Sequence, residues 1–221
     1  MRCIFLPMNL RRYTLVLAIS ISSVCRAQQW ELGAVGGYGW YFNPSIARST
    51  DTAVAQAGYA PRSAIGVVLG DNMYRYVGGE IRYLFRFGGP ELQSGPTRAS
   101  MSGYTNLVTY DLMIHMTPRD SSFRPFVAGG AGIKVYTGTG FRSPSQPLAE
   151  FALLTPVTQV EPAISVGGGL KYLFLKHAQL RVDFRTYMTP LPNKIFRPTG
   201  LSAIRGWVFD FVPTAGISYV F

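Results

Sequence analysis

The sequence predicts an all-β fold: an eight-stranded antiparallel up-and-down transmembrane β-barrel, preceded by a cleaved signal peptide. Three observations carry this reading. Eight segments alternate apolar and polar residues with period 2. The connections between them alternate in length. Only 14% of the 221 residues are charged, whereas 48% are apolar and 14% aromatic. A typical soluble domain carries about 25% charged residues, so roughly half of the expected surface charge is missing. The length suits one domain, or two at most. The 24 glycines and 15 prolines are punctuated rather than repetitive, which excludes collagen, coiled coil and bulk disorder. Beyond the N-terminal stretch no uncharged apolar run reaches the roughly 18 residues that a membrane-spanning helix needs.

The N-terminus reads as an address. Arg11 and Arg12 precede the apolar stretch Tyr13-Thr-Leu-Val-Leu-Ala-Ile-Ser-Ile-Ser-Ser-Val24, and Arg26-Ala27 follows. A basic region, a short apolar core and a small residue before the cut define a secretory signal peptide. The expected organisation is a signal peptide over 1–27 and a barrel domain over 28–221. An uncleaved anchor is disfavoured because the core is too short to span a bilayer. Both cysteines, Cys3 and Cys25, lie in this leader. The mature chain therefore has no disulfide framework and no thiolate metal site. A lipidated Cys25 is the alternative, although Val24 stands where a small residue usually precedes such a cysteine. With Arg2, Arg11, Arg12 and Arg26 removed, 17 basic and 11 acidic residues remain, a charge of +6 rather than +10. No Lys/Arg cluster is left to suggest nucleic acid.

The segments are 30–41, 62–70, 75–87, 104–117, 125–137, 158–174, 179–188 and 207–221. In 75–87, for example, Val77, Ile81, Tyr83, Phe85 and Phe87 alternate with Glu80, Arg82 and Arg86. In 179–188, Leu180, Val182, Phe184 and Met188 alternate with Gln179, Arg181, Asp183 and Arg185. An even strand number is what closure of an antiparallel barrel requires. Connections 42–61, 88–103, 138–157 and 189–206 are long, polar and rich in Pro, Gly, Ser and Thr. Those near Asp71-Asn72, Pro118-Arg119-Asp120 and Lys176-His177 are short. Such segregation is the signature of a membrane barrel, with the long loops outside and both termini periplasmic.

The faces settle the environment. An eight-stranded lumen barely holds side chains, and the apolar face here is too large and aromatic to fill one. Its aromatics gather near strand ends: Trp40, Tyr83, Phe85, Phe87, Tyr172, Phe174, Trp207, Phe209, Tyr219 and Phe221. Interfacial girdles sit there. The apolar face therefore looks toward lipid. The glycine-rich run Gly129-Gly-Ala-Gly-Ile lies inside a strand with no helix after it, so close strand packing explains it better than a phosphate loop.

The last eight residues, Thr214-Ala-Gly216-Ile-Ser-Tyr219-Val-Phe221, resemble the C-terminal assembly signal of Gram-negative outer-membrane proteins. Thr214, Gly216, Tyr219 and Phe221 occupy its polar, glycine and two aromatic positions. Together with Gly-Gly-Glu80-Ile-Arg82-Tyr and Pro125-Phe-Val-Ala-Gly-Gly-Ala-Gly-Ile, the mature chain resembles the small eight-stranded OmpA/OmpX-type outer-membrane barrels over nearly its whole length. The resemblance implies residence in the cell outer membrane, contact with its lipids and lipopolysaccharide, and insertion by the barrel-assembly machinery. Relatives often continue into a peptidoglycan-binding domain, which is not expected here.

With apolar residues outward, the lumen receives Glu31, Glu80, Arg82, Arg86, Asp111, His115, Lys134, Glu161, Lys171, Arg181, Asp183, Arg185 and Asp210. Six cations face six anions, with His115 neutral. Buried charges must pair, so the set reads as a salt-bridge plug. A conducting path would favour one sign. Some barrels of this kind modify lipid A with a His and a Ser at the lipid-facing rim. Here His115 points inward and His177 sits in a short turn, neither with a Ser two residues away. No metal spacing, cofactor motif or G-x-S-x-G occurs. The reading is a non-enzymatic barrel with a structural or surface-interaction role through four external loops. The alternatives are a small pore for small or hydrophobic solutes and, less favoured, a lipid-modifying enzyme.

The loops themselves are cationic. Arg48, Arg98, Arg142, Lys194, Arg197 and Arg205 stand against Asp51, Glu91 and Glu150. Guanidinium groups bind phosphate bidentately, so these residues suit phosphorylated glycolipid head groups as well as ordinary solvation. The run Leu148-Ala-Glu-Phe-Ala-Leu-Leu154 is too apolar to hang in water. It extends the strands, folds over the barrel mouth, or forms a partner-binding patch. No external ligand is legible.

Overall fold

The computed structural model describes residues 30–42, 45–48, 54–72, 74–140, 145–199, 202–203 and 206–221. The expected leader, with its two cysteines, and the loop residues Asp51, Arg142 and Arg205 lie outside the described residues.

Eight strands form a closed barrel. In chain order they are β1 (Trp30–Phe42), β4 (Arg62–Asp71), β5 (Val77–Phe87), β8 (Gly103–His115), β9 (Phe123–Gly138), β11 (Thr158–Leu173), β12 (Ala178–Pro190) and β15 (Trp207–Val220). Each end lies within two residues of the segment read from alternation. Neighbours in sequence are neighbours in the sheet, and β1 closes the ring by pairing antiparallel with both β15 and β4. Ala34, for instance, lies opposite Ile217 on one side and Val67 on the other. Closure leaves no barrel strand with an unpaired edge, which is what a lipid environment demands.

The alternation is inside out relative to a soluble barrel. Leu32, Ile65, Val67, Tyr110, Leu112, Ile133, Val182 and Ile217 are exposed on the outer wall. Glu80, Arg82, Arg86, Asp111, Lys134 and Arg185 are completely buried inside. Glycines let the wall curve this tightly. A Cβ on Gly132 would come within 1.9 Å of the Val108 carbonyl oxygen, and one on Gly130 within 2.0 Å of that of Tyr110. The β8–β9 pair can approach only because both are glycine.

At one end the strands join through short turns, 72–76, 116–122 and 174–177. At the other end the long connections are not irregular loops, as the sequence suggested. They contain β2 (Ser45–Arg48), β3 (Val54–Tyr59), β6 (Pro90–Ser94), β7 (Thr97–Ser100), β10 (Ala152–Leu154), β13 (Phe196–Pro198) and β14 (Ser202–Ala203). Five of these form one sheet in the order β14-β2-β3-β6-β7, and β10 pairs with β13. Their alternating stretches are too short, and too rich in Ala, Gly and Pro, to stand out from a loop.

Candidate functional site: a charged lumen beneath a folded cap

The lumen is organised in tiers. Near the short-turn end, Glu31 on β1 takes Lys171 through one carboxylate oxygen; Arg181 (3.1 Å) and Ser218 (2.7 Å) donate to the other. The next tier centres on two acids on opposite walls, Glu80 of β5 and Asp183 of β12. Arg82 donates to Glu80 at 2.9 Å and reaches Asp183 at 2.9 Å. Arg181 bridges the same pair at 2.7 and 3.2 Å. Arg185 lies 3.4 Å from both Glu80 and Asp111, while Thr109 donates to Asp111 at 3.0 Å. Thr214 adds a hydroxyl donor to Asp183 at 3.0 Å. These groups are nine-tenths or more shielded from solvent, so each charge depends on its partners rather than on water.

An apolar tier follows, built from Val35, Ala64, Val68, Leu84, Leu107, Ala163, Tyr187 and Val212. Above it Asp210 receives Arg86 and, at 2.7 Å, Lys134. Both cations lie over the Tyr41 ring, at 4.5 and 4.8 Å from its centroid.

Two residues stand apart from this arrangement. Glu161 is half-buried near the loop end and accepts from Gln159; among the described residues it has no cation within ion-pair distance. Arg124 joins the interior unannounced by the sequence reading. It is the second residue of β9, just before Pro125 and outside the segment read as strand. Its Nη1 donates to Asn72 at 2.8 Å. His115 also points inward, packed against Phe126 at 5.9 Å. Among the described residues the buried interior therefore holds seven cations, Arg124 included, against five acids. The expected six-to-six balance is corrected to an excess of two positive charges.

The long connections meet over the open end of this stack. Ala55, Ala57, Tyr59, Leu92, Ala99, Leu148, Phe151, Ala152, Leu154, Leu191, Ile195 and Phe196 pack with Tyr136 and Val208, which face inward at the barrel rim. Tyr59 is the hub, with Tyr136 at 5.0 Å, Tyr41 at 5.5 Å and the edge of Phe196 at 5.8 Å. Burial and the neighbouring phenols hold its hydroxyl well above the usual tyrosine value, so the cap core stays uncharged. The apolar run 148–154 thus folds over the mouth. It is not an exposed partner-binding patch, because Phe151 and Leu154 are buried. Leu148 adopts φ of +63°, a strained conformation for a branched residue, and buries its side chain in the same core.

Charged groups sealed inside a closed sheet, with an apolar wall outside, suit a bilayer and no aqueous compartment. The outer membrane protein OprG from Pseudomonas aeruginosa superposes with a TM-score of 0.52 at 13% identity, covering 88% of this chain and 96% of that one. The chain has the fold of the eight-stranded outer-membrane β-barrels. Its apolar wall and charged interior are those of a membrane-spanning barrel. The N-terminal barrel domain of OprF, from the same organism, is similar at 16% identity and a TM-score of 0.49, covering 87% of this chain and 97% of that one. No protein-family model matches the sequence, and no curated protein is significantly similar to it.

The four residues of the C-terminal pattern fall on β15 or just beyond it. Thr214 is buried toward Asp183, and Gly216 lies where a Cβ would come within 2.1 Å of the Ala34 oxygen. Tyr219 and Phe221 are exposed on the outer wall, their rings edge to face at 5.2 Å.

Proposed function

We propose that this protein is a sealed, non-enzymatic outer-membrane barrel that holds a folded cap outside the cell, in a structural or surface-recognition role. The observation that carries this reading is the pairing of a charge-locked lumen with a cap core packed onto the rim. A pore needs a continuous wet path, whereas Glu80, Arg82, Arg185 and Asp111 are fully shielded from solvent. A cap with its own sheet and core presents a surface of fixed shape, which costs little ordering entropy when something binds it. His115 lies inside the lumen, and His177 stacks on Tyr219 at the short-turn end, so neither serves a lipid-facing rim beside the cap. In the same reading Thr214, Gly216, Tyr219 and Phe221 form the signal read by the barrel-assembly machinery.

Conductance across a planar bilayer tests the proposal. The refolded protein is expected to show no sustained single-channel steps. Steady ohmic steps that scale with salt would reverse it in favour of a small-solute pore.

A further inference from the structure

The strongest unassigned feature is a polar pocket of about 460 Å³ on the outer flank of the barrel, where the wall meets the cap. Arg62 and Arg98 face it, with Glu91, Ser100 and Ser102 beside them and Gly88, Gly89 and Gly103 forming its base. We propose that it is a binding site for the phosphomonoester head group of an outer-leaflet lipid.

Height is the first argument. The floor begins at Gly88 and Gly103, each one residue beyond an outward-facing aromatic, Phe87 and Tyr104. Phe85 bridges them, edge to face with Phe87 at 5.0 Å and stacked on Tyr104 at 5.5 Å. Outward aromatics of a membrane barrel mark the interface, so a pocket directly above them sits among head groups.

Its chemistry is the second. The stem of Arg62 lies against Gly88, where a Cβ would fall 2.7 Å from the arginine Cγ. Among the described residues its guanidinium has no acidic partner. Arg98 is held from behind, its Nε 3.1 Å from Glu91 and its Nη2 3.3 Å from Gln93. Two arginines against one glutamate leave a net positive site with serine hydroxyls alongside. A phosphomonoester carries about −1.5 to −2 charge and three acceptor oxygens, which matches such a set. A second cavity of about 310 Å³ shares Arg98, Ser100 and Met101 and continues toward Ser145 and Gln146, leaving room for the rest of a large head group.

The test is native mass spectrometry of the full barrel in phosphatidylcholine nanodiscs doped with a minor fraction of phosphatidic acid. The parent protein is expected to retain phosphatidic acid in preference to phosphatidylcholine. Arg62→Ala with Arg98→Ala should weaken that preference by about tenfold or more, as expected for losing charge-assisted contacts. Arg62→Lys should keep part of it, and Lys176→Ala at the opposite end should keep all of it. Should the double variant fail to fold, Ser102→Glu, which adds a negative charge to an exposed position in the pocket, must abolish the preference in a barrel that still shifts on unheated gels. Equal retention of both lipids by the parent, or unchanged retention by the variants, overturns the proposal. So does displacement of the lipid by millimolar inorganic phosphate, which would make this a site for the free anion.

Discussion

Arg181 on β12 reaches across the full width of the barrel to Glu80 on β5, placing its Nη2 2.7 Å from the carboxylate. The two strands stand opposite one another in the ring of eight. The return contact is made by Arg82, which spans from β5 to Asp183 on β12. The lumen is thus braced along a diameter as well as around its circumference.

Removing one end of such a brace strands a buried charge. Arg82→Ala is expected to destabilise the barrel by about 3–5 kcal/mol, the usual cost of breaking a buried pair. Adding Asp183→Ala should recover part of that loss, seen as a coupling energy in urea-unfolding double-mutant cycles. Single variants that unfold like the parent would show that water fills the lumen.

The cap should fail separately from the wall. Phe196→Ala removes a fully buried ring and is expected to cost about 3–5 kcal/mol of cap packing. Deleting 145–155 should go further, opening the cap to chymotrypsin at residues such as Tyr59. In both cases the barrel is expected to remain heat-modifiable on gels. Loss of membrane insertion on deletion would mean that this segment supports the wall itself.

Curvature gives a third prediction. Gly132→Val should block closure, since even a Cβ there would collide with the Val108 carbonyl. The readout is loss of the heat-modifiable band, and a compact, fully folded variant would contradict the structure.

Topology is testable by labelling. Thr97→Cys, exposed on β7 of the cap, should react with a membrane-impermeant maleimide on intact cells. Asp120→Cys, exposed in a short turn, should react only after permeabilisation. The opposite pattern inverts the barrel. Proteolysis near Lys194 is a weaker probe, because its backbone NH donates to Gln159 at 2.7 Å and its carbonyl accepts from Thr155.

The wall was legible because lipid and lumen impose opposite chemistries on alternate residues, and a run such as Leu180 to Arg185 records both. The cap was not, because its strands are two to six residues long and bury small side chains. A signal was present in Ala55-Gln-Ala57-Gly-Tyr59, whose odd positions all enter the core, but three alanine- and tyrosine-bearing positions are too few to separate from loop. Arg124 escaped because Pro125 resembles a strand boundary, although a proline can sit near the start of a strand. Glu161 alternates correctly and stands opposite Lys134 in the register, yet that lysine turns to Asp210 and Glu161 accepts from Gln159 instead.

The ion pairs across the lumen also constrain how the molecule is made. Glu31 belongs to β1, and Arg181 and Lys171, which hold it, lie on strands joined to β1 in sequence only through the rest of the sheet. In an open, partly wound sheet the two sides of the lumen are apart, and the pairs that cross it are broken, while those within one strand, such as Arg82–Glu80 and Arg181–Asp183, remain. Such a species is penalised at each broken cross-lumen pair, while the closed ring is not. Burial in the bilayer and zipping of the last seam are therefore expected to be coupled, because only the closed ring brings Glu31 to Arg181 and Lys171.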